Sequence, residues 1–215
     1  QAVFEDQGQM LRAHGVLQAT PDGWSYGADA QMDKLSQKRL MALWPEGVLT
    51  KTRNWAVDNL FGGSLSDLDV VVRDTPLSPP TTYVSFSYAD ADVRYAKTLP
   101  PVEGARGAAS LLDNRFVVTV DAGQIKAAQG GLMEVGGSSF IIPDVTAKEG
   151  APAIVRLDTR STVTAALSLL DQPPLSIMTK AGRLPDLADG RLQLEGTLAL
   201  PLRPGLTGAD LVFNA

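Results

Sequence analysis

From 191 to 203 the chain alternates so regularly that few folds can hold it. Leu192, Leu194, Leu198, Leu200 and Leu202 fall on even positions, and Arg191, Gln193, Glu195, Thr197 and Arg203 on odd ones. Successive side chains of a strand point to opposite faces, so this period predicts a strand with one face buried and the other in water. Antiparallel sheets use such strands. The same period recurs upstream. Leu68, Val70 and Val72 share one face of a strand, and Val84, Phe86 and Tyr88 line one side of a strand over 83–95. Its apolar phase shifts near Ala89 to Val93, which predicts a bulge or a turn. Segments 109–112 and 115–121, the latter carrying Phe116, Val118 and Val120, read as a hairpin around Asp113-Asn114.

Further strands are expected at 9–19 and 24–32, joined through Thr20-Pro21-Asp22-Gly23, where proline presets one φ and glycine supplies a positive one. Others are expected at 124–135 and 138–146, separated by Gly136-Gly137, and at 153–159. Pro76, Pro79 and Pro80 mark a loop, and Leu99-Pro100-Pro101 another break. Only 34–61 has sustained helical spacing. Leu35, Leu40, Leu43 and Trp44 share one helix, broken by Pro45 and Gly47. A second helix starts near Thr50, carries Trp55, Leu60 and Phe61, and stops at Gly62-Gly63. A short helix over 162–171 bears Val163, Ala166, Leu167 and Leu170 on one side and ends at Pro173-Pro174; one more short helix is expected at 175–182. The fold class is therefore mainly β with a few short helices in a largely antiparallel sheet. The organisation reads as a strand pair over 1–33 and a β domain over 34–215 that opens with the helix pair at 34–61.

Chemistry is harder to find. A net charge of −5 argues against a nucleic-acid partner, which would require a basic face, and 13 aromatic rings in 215 residues (3 Trp, 4 Tyr and 6 Phe) leave few base-stacking platforms. The absence of cysteine removes disulfides, thiolate metal sites and a Cys nucleophile. No apolar run approaches the roughly 20 residues of a membrane-spanning helix. The single histidine, His14, cannot supply a multi-histidine metal site, and no Gly-x-Ser-x-Gly elbow accompanies it. The carboxylates Asp67, Asp69, Asp90, Asp92, Asp121, Asp144 and Asp158 stand at expected strand ends and turns, where aspartate hydrogen-bonds the backbone. The glycine pairs match neither a phosphate loop nor a dinucleotide fingerprint. No enzyme, cofactor or metal is expected.

The apolar rows remain. A sheet face must be buried by something. The residues in question are Val84, Phe86, Phe116, Val118, Val120, Leu192, Leu194, Leu198, Leu200 and Leu202. They could fill a closed sandwich or barrel, or line a trough that holds acyl chains or another apolar ligand. On physical grounds alone the closed core is favoured.

A family resemblance moves that balance. Leu43-Trp44-Pro45 followed by the run from Lys51 to Asn59 (Lys-Thr-Arg-Asn-Trp-Ala-Val-Asp-Asn) is similar to a helix pair of the YhdP-type domain of the AsmA-like proteins, large Gram-negative envelope proteins that include the TamB group. Gly62-Gly63 then Leu68-Asp69, the block Ala91-Asp92-Val93-Arg94-Tyr95 with Leu99-Pro100-Pro101-Val102-Glu103-Gly104, and the run from Leu167 to Leu175 resemble later segments of that domain in order. The likeness covers roughly four-fifths of the chain; 1–33 looks like a strand pair from a preceding repeat. It implies an elongated, curved, half-pipe-like sheet with an apolar groove in a periplasmic protein. An inner-membrane anchor would lie outside this segment. The implied role is movement of phospholipid between the inner and outer membranes, or maintenance of the outer-membrane barrier. The implied partners are phospholipid acyl chains and flanking repeats of the same chain. The family brings no catalytic residues.

Overall fold

The computed structural model describes residues 2–6, 8–44, 46–47, 50–147, 152–173, 175–203 and 207–214. The helix breakers Pro45 and Pro174 lie outside the described residues. Twelve strands form one antiparallel sheet: β1 (Ala2–Asp6), β2 (Gln9–Thr20), β3 (Gly23–Ser36), β4 (Ser64–Thr75), β5 (Ser78–Val93), β6 (Val102–Leu112), β7 (Arg115–Lys126), β8 (Leu132–Glu134), β9 (Ser139–Ile142), β10 (Pro152–Thr162), β11 (Arg191–Pro201) and β12 (Val212–Asn214). Spatial order follows chain order, except that β8 and β9 lie end to end between β7 and β10 as one interrupted strand.

The sheet is open and curved. Among the described residues β1 pairs only with β2, and β12 only with β11. The closed sandwich or barrel that the apolar rows also allowed is not formed. A compact monomer of this mass would expose about 9,600 Å²; this chain exposes 13355 Å². Among the described residues no large side chain is fully buried. Curvature comes with irregularities in register at Ser66/Asp69, Tyr88/Ala91, Glu103/Arg106 and Arg106/Gly107. Asp67, Asp90 and Gly104 take positive φ at three of these bulges. The expected phase shift after Tyr88 is one of them.

Helices α1 (Gln37–Leu43) and α2 (Thr50–Asn59) join β3 to β4; α3 (Val163–Leu170) and α4 (Ile177–Lys180) join β10 to β11. β3 and β10 run in the same direction, so all four helices sit at one end of the sheet. Two-residue turns at Pro21-Asp22, Pro76-Leu77 and Asp113-Asn114 close the other end. The hairpin expected around Asp113-Asn114 is formed, and Asp113 (φ 48) and Asn114 (φ 63) both take the left-handed conformation that a type I′ turn requires.

Several expected boundaries move. Leu35 belongs to β3, where it pairs with Leu65, and the helix starts only after Ser36, whose Oγ accepts the Arg39 N–H at 3.2 Å. Leu60 and Phe61 leave α2 because 59–61 runs beside the end of β5: Leu60 bridges Val93, Phe61 N donates to Asp92 O, and Arg94 N donates to Asn59 O. Pro79 and Pro80 lie inside β5, opposite the register break between Arg73 and Thr75, where no ladder donor is required. Tyr95 lies past the end of β5. The expected strand over 124–135 is two strands. Gly130 (φ 82) and Gly131 (φ 96) turn the chain between β7 and β8, and Ala127 N donates to Gly131 O at 3.0 Å. β3 runs through position 33, so segments 1–33 and 34–215 share one sheet.

Candidate functional site

Cross-strand partners lie on the same face, so the register assigns every strand residue to a face. Starting from β11, Leu192, Leu194, Leu198 and Leu200 pair with Ser161, Thr159, Val155 and Ala153. Val155 pairs with Phe140, Phe140 with Val118, and Val118 with Ala109. Ala109 pairs with Phe86, and Leu111 with both Phe116 and Val84. Val84 pairs with Val70, Val70 with Ala30, and Ala30 with Ala13. One face is thus apolar from β1 to β11. Its polar exceptions include Thr82, Thr159, Ser161 and Asp74; the last accepts a hydrogen bond from the Tyr26 hydroxyl, which raises the Tyr26 pKa. The other face is mostly polar, with Arg12, His14, Gln31, Arg73, Ser85, Ser110, Thr119, Arg156, Gln193 and Glu195, but it also carries Val71, Val117, Ile141 and Ile154.

All nine groove candidates that lie within strands fall on the apolar face: Val84, Phe86, Phe116, Val118, Val120, Leu192, Leu194, Leu198 and Leu200. None is fully exposed or fully buried. Leu202 departs from the row. β11 ends at Pro201, and Leu202 is exposed beyond it.

The face is covered at one place. Under α3, Ile125, Met133, Val135 and Ala166 form a buried cluster, against which Val102, Val120, Leu169 and Leu192 pack. Val120 and Leu192 therefore belong to a small closed core at the helical end. Local hydrogen bonds hold α3 there. The Thr162 Oγ1 accepts the Ala165 N–H at 3.0 Å and donates to Gly130 O at 2.8 Å, while Ser168 Oγ accepts the Gln129 N–H at 3.2 Å. The helix pair over 34–61 stands at the β3 side instead. The leucine row of β11 is covered by α3 at its Leu192 end and not by α1 and α2.

Small residues shape the uncovered stretch. Ala109 and Ala153 are buried between larger neighbours, and Gly107 is roofed by Tyr88, whose hydroxyl donates to Thr119 O at 2.7 Å. Burial, with a smaller contribution from Asp121, pushes the Tyr88 pKa up to about 12.

His14 sits on the polar face with its Nδ1 3.7 Å from Asp29 Oδ2; Arg73 Nη2 lies 2.7 Å from the other oxygen of Asp29. Of the aspartates, Asp67 and Asp90 occupy bulges, Asp92 accepts the Gly104 N–H at 2.9 Å, and Asp144 accepts from Thr146 N and Oγ1, which lowers its pKa. Asp69, Asp121 and Asp158 lie within strands. Among the described residues no group of three or more His, Asp or Glu could hold a metal ion, and no helix is long and apolar enough to cross a membrane.

The fold and face define an open antiparallel sheet with one continuously apolar side and a mostly polar one. No family model, curated protein or solved structure matches the chain.

Proposed function

We propose that this chain is a non-catalytic, lipid-conducting segment of a periplasmic bridge-like protein of the AsmA-like kind, carrying phospholipid acyl chains along its apolar face between the inner and outer membranes. The continuous apolar face of an open sheet is the observation that carries this reading. A closed domain would bury such rows against a second layer; here they are only half covered. Each methylene that moves from water onto the face gains about 0.8 kcal/mol. A two-tailed lipid could then leave a bilayer with its chains shielded while its head stays in water. The resemblance of the 40–175 blocks to YhdP-type domains supports the periplasmic setting and an anchor elsewhere in the full-length protein.

The test is site-specific photo-crosslinking. A benzophenone side chain at Phe86 or Leu198, on the apolar face, should yield phospholipid adducts in a Gram-negative envelope; the same group at Gln193 or Thr119, on the opposite face, should not. Equal labelling from both faces, or none, overturns the reading.

The free edges favour a second reading. Among the described residues β1 and β12 each pair along one edge only, and a free edge is the usual template for strand addition. Flanking repeats would then extend the sheet, and this segment would be scaffold. Protein adducts at Leu198 in place of lipid would support it.

A further inference from the structure

We propose that the corner of the apolar face at the turn end of β2, β3 and β4 binds the ammonium head of a zwitterionic phospholipid, with Trp24, Tyr26 and Asp74 as its contacts. This rests on the lipid-conducting reading and names the class of head group it carries. Register places the three residues side by side. Trp24 pairs with Ala19, and Tyr26 pairs with Leu17 on one side and Asp74 on the other, all on the apolar face. Two positions apart on one strand, the indole and the phenol stand on stems roughly 7 Å apart. Trp24 is 64% exposed and Tyr26 43%, so much of each ring meets water. Leu17 and Leu77 are exposed beside them. Leu77 lies in the β4–β5 turn, which abuts the β2–β3 turn where Pro76 meets Gly23.

Charge selects the occupant. Segments 16–28 and 72–82, which build this corner, contain one cation, Arg73. It lies on the opposite face, where its Nη2 is 2.7 Å from Asp29 Oδ1. The apolar side therefore carries Asp74, with Asp22 in the adjoining turn, and no cation of its own. Asp74 accepts the Tyr26 hydroxyl. One neutral donor leaves the carboxylate with acceptor sites for more. The faces of the two rings are also electron-rich and attract a cation within about 6 Å. An anionic head would meet two carboxylates, and a bare hydrocarbon would cover Asp74 without pairing it. A lipid with an ammonium head satisfies both parts of the corner. Its head engages the rings and Asp74, while its chains run on over Ala30, Val70 and Val84, successive partners across the apolar face.

The experiment places benzophenone at Leu17, or at Leu198 as reporter of the main trough, and irradiates the protein with vesicles of equimolar phosphatidylethanolamine and phosphatidylglycerol. Mass spectrometry reads the ratio of the two adducts. At Leu17 the phosphatidylethanolamine adduct should exceed the phosphatidylglycerol adduct severalfold, well above the ratio at Leu198. Asp74→Asn keeps an acceptor for the Tyr26 hydroxyl and removes the charge; Trp24→Leu keeps apolar surface and removes the ring. Each should bring the Leu17 ratio down towards that at Leu198, with total capture little changed. The two changes are independent and both lie at the sheet surface, so a folding defect in one does not mask the other. The same ratio at both positions, a Leu17 ratio indifferent to both changes, or crosslinks between copies of the chain in place of lipid at Leu17 overturns the proposal and leaves the trough standing as long as Leu198 captures lipid. Failure of the trough reading looks different: no lipid adduct at either position, which overturns both.

Discussion

The Tyr88 hydroxyl donates to the Thr119 carbonyl oxygen at 2.7 Å, reaching across Gly107 on the strand between them. A Cβ on Gly107 would sit 2.0 Å from that carbonyl oxygen and 2.8 Å from the Tyr88 hydroxyl. Close approach of backbone, not turn geometry, is what demands glycine here. Gly107→Ala should therefore displace backbone and lower the denaturation midpoint sharply. Tyr88→Phe, which removes only the hydrogen bond, should cost on the order of 1 kcal/mol. Urea unfolding of the two variants against the parent checks the ranking; a Gly107→Ala protein as stable as the parent would show that the sheet does not close up at this point.

The same tyrosine gives a pH dependence. Its folded pKa is raised from 10.0 to about 12, chiefly by burial and then by Asp121. The folded state thus disfavours the phenolate. The stability this contributes is complete below pH 10, declines as pH rises from 10 and is gone by pH 12. Alkaline unfolding of the parent should show this decline, and Tyr88→Phe should lessen it without abolishing it, because burial also raises Tyr95 from 10.0 to about 12. Ultraviolet titration should find one phenol fewer ionising near pH 12 in the variant. A parent stability that stays level from pH 9 to 12 would contradict the assignment.

The small core under α3 and the open face should respond differently to truncation. Ile125 is 7% exposed inside the buried cluster. Ile125→Ala should cost about 2–5 kcal/mol, the usual range for such a cavity. Val84 has no helix over it and is only half buried, so Val84→Ala should cost less than about 1.5 kcal/mol. Thermal melts of both variants decide it. Equal destabilisation would mean that the face is packed throughout.

At the opposite end, the Asp113-Asn114 turn tests hairpin geometry. Both residues hold positive φ. Asn114→Gly should leave the melting temperature level or raise it, because glycine reaches that conformation without strain. A β-branched side chain is sterically strained there, so Asn114→Val should lower stability by about 1–2 kcal/mol. Reversal of that order would mean the turn is not type I′.

Much of this fold was legible because period two is a local property. The 191–203 alternation, the bulge after Tyr88 and the Asp113-Asn114 turn each follow from side-chain direction or backbone sterics within a few residues. What stayed hidden depends on distant partners. Leu35 fits a helix as well as a strand until Leu65 pairs with it, and Leu60 and Phe61 leave α2 only because the end of β5 lies alongside. The nine strand-borne groove candidates could be read from alternation. Their common face could not, since it needs the register of successive strand pairs across the sheet. Nor could the α3 core that removes Val120 and Leu192 from the uncovered stretch, because Ile125, Met133 and Ala166 come from three elements that meet only in the fold.

The sharpest separation between trough and core comes at Leu198. It pairs with Val155 on one side and Phe213 on the other, toward the free β12 edge. If this position were inside a dry core, a carboxylate there would be an unpaired buried charge, and Leu198→Asp would unfold the chain. On an open face, water reaches the new carboxylate, and the cost falls to that of the leucine's half-buried apolar surface. We therefore expect Leu198→Asp to stay folded by circular dichroism with a modest drop in stability, while phospholipid capture by a benzophenone at Phe86 falls severalfold because the acyl path is interrupted. Gln193→Asp, on the polar face of the same strand, should change neither measurement. Unfolding of Leu198→Asp would place β11 in a closed core and assign this segment to scaffolding; unchanged lipid capture in a folded Leu198→Asp protein would show that the acyl chains do not run along β11.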